Sequence, residues 1–210
     1  MKYIKLYESF EDIDSICKKY SIENYTINSD GTVDVDGNVY LSDSRLIKLP
    51  LKFGNVTGDF NCNNNQLISL EGCPQSVSGY FYCYSNELIT LEWCPQSVGS
   101  DFHCGNNKLT TLEFCPQILG GDFSFANNKL KDLYGFPEYF YNEVYYRGNT
   151  VSEILDLFET NRLGKVIDLL NEYGVIQQDG KVVILDRLEE IFYTLNLEVP
   201  KINLNNYEVY

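Results

Sequence analysis

The sequence predicts a mainly β solenoid: a short parallel-sheet array with an N-terminal helix/hairpin cap and a small α/β C-terminal cap. Residues 58–140 repeat every 21 positions, so that Phe60, Phe81, Phe102 and Phe123 correspond, as do Asn65, Asn86, Asn107 and Asn128. A fixed period in this range marks a solenoid. Phe60 and Cys62 alternate at strand spacing, which points both inward from one short strand in each unit. Each unit closes on Cys73-Pro74, Cys94-Pro95, Cys115-Pro116 or Phe136-Pro137. The residue before a proline is pushed towards extended geometry, which argues against a helix on the return leg.

Ahead of the array, Ser9-Phe10-Glu11-Asp12 has the form of a helix start, and Ile13, Ile16, Cys17 and Tyr20 follow at helical spacing. A helix over 10–20 would lie across the open end of the solenoid, as such an end requires. Tyr25-Thr26-Ile27 and Val33-Asp34-Val35 flank the turn Asn28-Ser29-Asp30-Gly31 and read as a hairpin. Thr32, Asp34, Asp36, Gly37 and Asp43 fall at calcium-loop spacing, but the first position lacks a carboxylate and the flanks alternate with strand period, so no metal site is expected. Worn copies of the unit at Val39/Leu41/Leu46 and Val144/Tyr146/Val151 extend the array to six coils. The predicted domains are thus 1–36, 37–155 and 156–210.

From the last coil onward, Val151 to Glu159, Leu163 to Tyr173 and Arg187 to Leu195 have helical spacing. Gly174 is placed to stop the second helix and Pro200 to stop the third. Val175-Ile176-Gln177 and Val182 to Leu185 flank an Asp-Gly turn and form a second hairpin signal.

Phe60-x-Cys62-x-x-Asn65-x-Leu67-x-x-Leu70 resembles the leucine-rich repeat, with Phe and Cys replacing the first two leucines of that pattern. The tandem wording Gly-Asp-Phe-x-Cys-x-x-Asn-x-Leu-x-x-Leu-Glu-x-Cys-Pro is similar to small repeat proteins of large tailed bacteriophages. Leu6-Tyr7-Glu8 followed by Ser9 resembles the cleaved N-terminal tag of internal head proteins in such phages. The resemblance implies a parallel-sheet scaffold and an accessory role, either in the host cytosol or packaged in the virion. It is nearly silent about activity, because repeat scaffolds host many binding functions. Stacking also explains the asparagines: at each turn an Asn tolerates left-handed backbone, and its amide would satisfy backbone groups of adjacent coils as a ladder.

Composition bounds the partners. Across 210 residues, 16 Lys+Arg against 30 Asp+Glu give a net charge of −14 and a pI near 4.4. Nucleic acid and anionic membrane are disfavoured, and a protein with a basic or neutral surface is expected. The first ten residues carry charge where a signal peptide needs a continuous apolar run, so a cytoplasmic location is expected. Six of the seven cysteines occupy two repeat positions and read as packing groups in a reducing compartment. With no CxxC pair and a single histidine, His103, a zinc site has no support. No phosphate-cradling loop or nucleophile elbow is present, and Ser15-x-x-Lys18 sits in an amphipathic helix pattern, so neither catalysis nor a cofactor is expected.

What remains is the outward side of the strands. Parity places Asn38, Tyr40 and Ser42 there, then Asp59, Asn61 and Asn63, then Tyr80, Tyr82 and Tyr84. Asp101, His103 and Gly105 follow, with Asp122, Ser124 and Ala126, and finally Glu143, Tyr145 and Arg147. Tyrosine suits any strand surface. Three on one strand, bordered by acids, also resemble a binding hot spot. The candidate partner-binding set is Tyr40, Asp59, Asn61, Tyr80, Tyr82, Tyr84, Asp101, His103, Asp122, Tyr145 and Arg147. A flat face of this kind favours a macromolecule over a small molecule, with a carbohydrate or a DNA-binding protein as rival ligands.

Overall fold

The computed structural model describes residues 13–177 and 180–210. It is a β-solenoid whose coils advance by the predicted period, since Phe60 pairs in register with Phe81, Phe81 with Phe102 and Phe102 with Phe123. One wall is a six-stranded parallel sheet formed by β3 (Val39–Tyr40), β5 (Phe60–Asn61), β7 (Phe81–Tyr82), β9 (Phe102–His103), β11 (Phe123–Ser124) and β12 (Val144–Tyr145).

The return legs make a second sheet, which the Cys-Pro argument did not anticipate beyond extended geometry. It contains β1 (Tyr25–Ile27), β2 (Val33–Val35), β4 (Phe53–Val56), β6 (Ser76–Val77), β8 (Ser97–Val98) and β10 (Ile118–Leu119). The signal was available, because Val56, Val77, Val98 and Leu119 also recur at the same period, and all four are buried. Two residues per strand are too few for a visible alternation.

Between the walls run columns of like residues. The rings of Phe60, Phe81, Phe102 and Phe123 follow one another at 5.7, 5.6 and 5.5 Å, all fully buried. Cys62, Cys83 and Cys104 form a second column, and Leu67, Leu88, Leu109 and Leu130 a third. All seven thiols are free, and burial pushes those of Cys73, Cys83, Cys94, Cys104 and Cys115 upward.

The asparagine ladder forms as the repeat implies. Asn107 Oδ1 accepts the Leu88 amide at 3.0 Å, while its Nδ2 donates to the carbonyls of Cys83 and Cys104 at 3.1 and 3.0 Å. Asn65, Asn86, Asn128 and Asn149 bind their own and the preceding coil in the same way. The left-handed backbone belongs to the residue before each of them, contrary to expectation. Asn64, Ser85, Asn106 and Asn127 have φ of +52° to +55°. That residue makes the bend, which leaves the ladder Asn free to turn its amide inward.

The ends are closed as predicted. Residues 13–19 are helical (α1), with Ile13 and Cys17 in the core, whereas the start at 9–12 lies outside the described residues. β1 and β2 pair as an antiparallel hairpin. Asp34 and Asp36, of the discounted calcium pattern, accept hydrogen bonds from Asn55 N and Thr57 Oγ1 of the next coil. At the other end stand α2 (Ser152–Leu155), α3 (Leu163–Glu172) and α4 (Leu185–Thr194), with Gly174 ending α3 at φ +57°. α4 ends well before Pro200. Asn196, at φ +54°, turns the chain so that Leu197 N bonds Phe192 O, a left-handed stop. β13 (Ile176–Gln177) and β14 (Val182–Val183) form the hairpin, joined by an unanticipated parallel strand, β15 (Glu208–Val209). Among the described residues no helix is long and apolar enough to cross a membrane.

Candidate functional site

Strand pairing sets the middle row of the first sheet in the order Tyr40, Asn61, Tyr82, His103, Ser124, Tyr145. β7 supplies Tyr82 and, at its edges, Tyr80 and Tyr84. The Tyr80 and Tyr82 rings stack at 4.1 Å with 18° between planes, and Tyr82 stacks on His103 of the next coil at 4.6 Å and 14°. Tyr84 leans against Tyr82 at 6.0 Å. The result is one column of rings that crosses two coils. All four side chains are half-buried before any partner is present.

The acids are less free than an acidic rim would be. Asp59 Oδ1 accepts the Tyr80 amide at 3.1 Å, Asp101 Oδ1 the Asp122 amide at 2.9 Å, and Asp122 Oδ1 the Glu143 amide at 3.1 Å. One oxygen of each thus ties a coil to its successor. In Asp101 and Asp59 the other oxygen faces a tyrosine: Tyr82 Oη donates to Asp101 Oδ2 at 3.3 Å, and Tyr40 Oη to Asp59 Oδ2 at 3.4 Å. Tyr80 occupies the ladder position itself, where neighbouring coils have Asp or Asn.

Burial, with Asp101 second, pushes the Tyr82 phenol up to about 12, and burial with the Tyr40 hydroxyl and Asp59 pushes Tyr80 upward as well. Burial lowers His103, and Asp101 and Asp122 pull the other way. His103 Nε2 is buried without a hydrogen-bond partner. At neutral pH the column is a set of uncharged donors and rings set among carboxylates.

No family model, curated protein or solved structure matches the chain.

The structure divides the eleven candidate residues. Tyr40, Asp59, Asn61, Tyr80, Tyr82, Tyr84, Asp101 and His103 share one patch over β3 to β9. Asp122 belongs to its edge through the ladder. Tyr145 stands about 14 Å from Tyr82, three strand spacings away across Ser124. Its hydroxyl donates to Glu143 at 2.8 Å. Tyr145 and Arg147 instead line a cleft of about 550 Å³ against the C-terminal cap, with Phe140 and Leu163. Arg147 Nε lies 3.6 Å from Asp156.

Asn63 was placed outward and is buried, at 4% exposure. Its backbone N–H donates to Asn61 Oδ1, and its own side-chain Oδ1 has no partner. Strand alternation fails at that point because the chain is already turning into the left-handed Asn64. Among the described residues no group of three or more His, Cys, Asp or Glu side chains could hold a metal ion.

Proposed function

We propose that the protein is a non-enzymatic interaction module whose Tyr80–Tyr82–His103 column docks a partner protein with a basic or neutral surface. The stacking of the column carries this reading. Rings already packed on one another have lost most of their side-chain freedom, so a partner would order little more on binding. Tyr82 has both faces covered, by Tyr80 and His103. Edges and hydroxyls are what it presents, which suits a protein surface better than a sugar that stacks on open ring faces.

The net charge of −14 and the ladder carboxylates, none of which has an ion pair among the described residues, favour lysine or arginine opposite them. The buried thiols, with pKa values raised where a nucleophile needs them lowered, support a non-enzymatic role. The leucine-rich-repeat resemblance and the phage-like repeat wording favour an accessory protein that binds a host component, such as a defence protein, in the host cytoplasm. The Leu6-Tyr7-Glu8 tag that would mark a packaged virion protein lies outside the described residues.

The test is affinity capture from expressing cells with wild type, a Tyr82→Ala/His103→Ala variant and Tyr193→Ala, an exposed control on α4. Loss of a specific protein band in the double variant alone is the expected result. Equal recovery by all three removes this face from consideration. Asp101 is better replaced by Asn than by Lys, since Asn keeps the Oδ1 acceptor for Asp122 N while it removes the charge.

A further inference from the structure

The corner of the coil that leads into the second sheet departs from the repeat in two neighbouring units. Positions 72 and 135 are glycine, in the left-handed region at φ +93° and +86°. At the equivalent positions between them stand Trp93 and Phe114, held at φ +71° and +68° with 58% and 55% of their surfaces exposed. Left-handed backbone is a steric cost for any residue with a Cβ. A ring left more than half in water recovers little of that cost by burial. Both rings line one groove of about 570 Å³, together with Pro74, Pro95, Gln96 and Gln117.

Exposed glutamates precede the rings. Glu92 and Glu113 adjoin Trp93 and Phe114, and Glu71 continues the row one coil earlier. The ion pairs among the described residues are Lys108 with Glu87 and Arg147 with Asp156, so none of these three carboxylates has a cation beside it.

We propose that this groove is a second docking surface, which takes a basic protein segment with arginine or lysine side chains laid over Trp93 and Phe114 and reaching Glu92 and Glu113. Cationic heads, arginine above all, lie favourably on aromatic faces, and the guanidinium is weakly enough hydrated to leave water for them. Charge complementarity selects this occupant. A second copy of the chain would bring another net charge of −14 to the same acids, and a neutral glycan would use the rings but not the carboxylates. The groove does not involve the tyrosine column: Trp93 lies eleven residues beyond Tyr82, just before β8 of the other sheet.

Trp93 is the one tryptophan of the chain, so its fluorescence reports on the groove directly. The full-length protein is titrated with an acetylated, amidated peptide of alternating glycine and arginine at low salt. A saturable change in emission is expected, weakening as salt is raised and unaffected by Tyr82→Ala. Glu92→Gln with Glu113→Gln should weaken it about tenfold, the sum of two partly exposed charge pairs. Phe114→Gly, which restores the residue found at 72 and 135, should fold and bind more weakly; circular dichroism confirms the fold of each variant. Absence of a saturable change, an equal change with a glycine–glutamine peptide, indifference to the glutamine variants, or a response to maltohexaose alone would overturn the proposal.

Discussion

At the scale of single residues, the most consequential groups are polar ones that bind backbone. Asn107, at 8% exposure, serves the backbone of two coils at once. Asn107→Ala leaves Leu88 N without a partner and removes one of the two amide donors at the Cys83 and Cys104 carbonyls, so about 2 kcal/mol of stability should be lost in a urea unfolding curve. A loss under about 1 kcal/mol would mean that water replaces the amide freely. His103 makes a different test, because burial lowers its pKa. The unfolded imidazole then binds a proton before the folded one does. Stability from this residue is present above its unfolded pKa and is lost as pH falls through the folded value. With one histidine in the chain, a single imidazole resonance should titrate below 6.5 by NMR, and a midpoint above 6.5 would refute the stacked, half-buried placement. Tyr82 runs the other way: its raised phenol contributes below 10 and loses its contribution as pH rises towards 12. Parity in the sequence placed the core of the tyrosine patch, from Tyr40 to His103, but did not separate Tyr145 and Arg147 from it. It did not show that Asn63 turns inward or that Oδ1 of each acid is committed to the next coil, since both depend on where the bend falls.

At the scale of the element, the unit is the 21-residue coil, and its length is more constrained than its wording. Each strand contributes only two paired residues, so the register between coils is held by the Phe, Cys and Leu columns. Deletion of residues 80–100 joins Gly79 to Asp101 and preserves every column. It should give a shorter, folded solenoid with an unchanged circular-dichroism shape. Removal of one residue fewer displaces buried side chains to the outer face downstream of the joint, and that variant should fail to fold. Phe102→Ala, in the middle of the ring column, should cost about 3–5 kcal/mol. The first sheet was legible because its Phe-x-Cys alternation spans the turn. The second was not, since Ser76-Val77 and its copies offer a single buried residue each, and β15 has no apolar pattern of its own. The end of α4 was read to within a residue, at Leu195, but its cause was not. Pro200 is the conspicuous breaker, but the left-handed Asn196 acts first.

At the scale of the whole molecule, a continuous core runs from Ile13 of α1 through the coils to Phe192 of α4. Six of the seven cysteines are buried within it and Cys94 is partly so, all free. Alkylation of the native protein should therefore be slow, and should speed up together with loss of circular dichroism across a urea transition. Rapid native labelling of several thiols would mean that the coils open locally. The solenoid holds its columns inside and so fixes what remains outside: on one sheet a ring column among hydrogen-bonded acids, and on a separate corner an aromatic groove beside acids with no ion pair. The claim that the first of these is the docking face is tested most directly by hydrogen–deuterium exchange of the protein with its captured partner bound. Added protection is expected over residues 80–84 and 101–105. Protection confined to the second sheet or to the caps, with those segments exchanging as in the free protein, would contradict it.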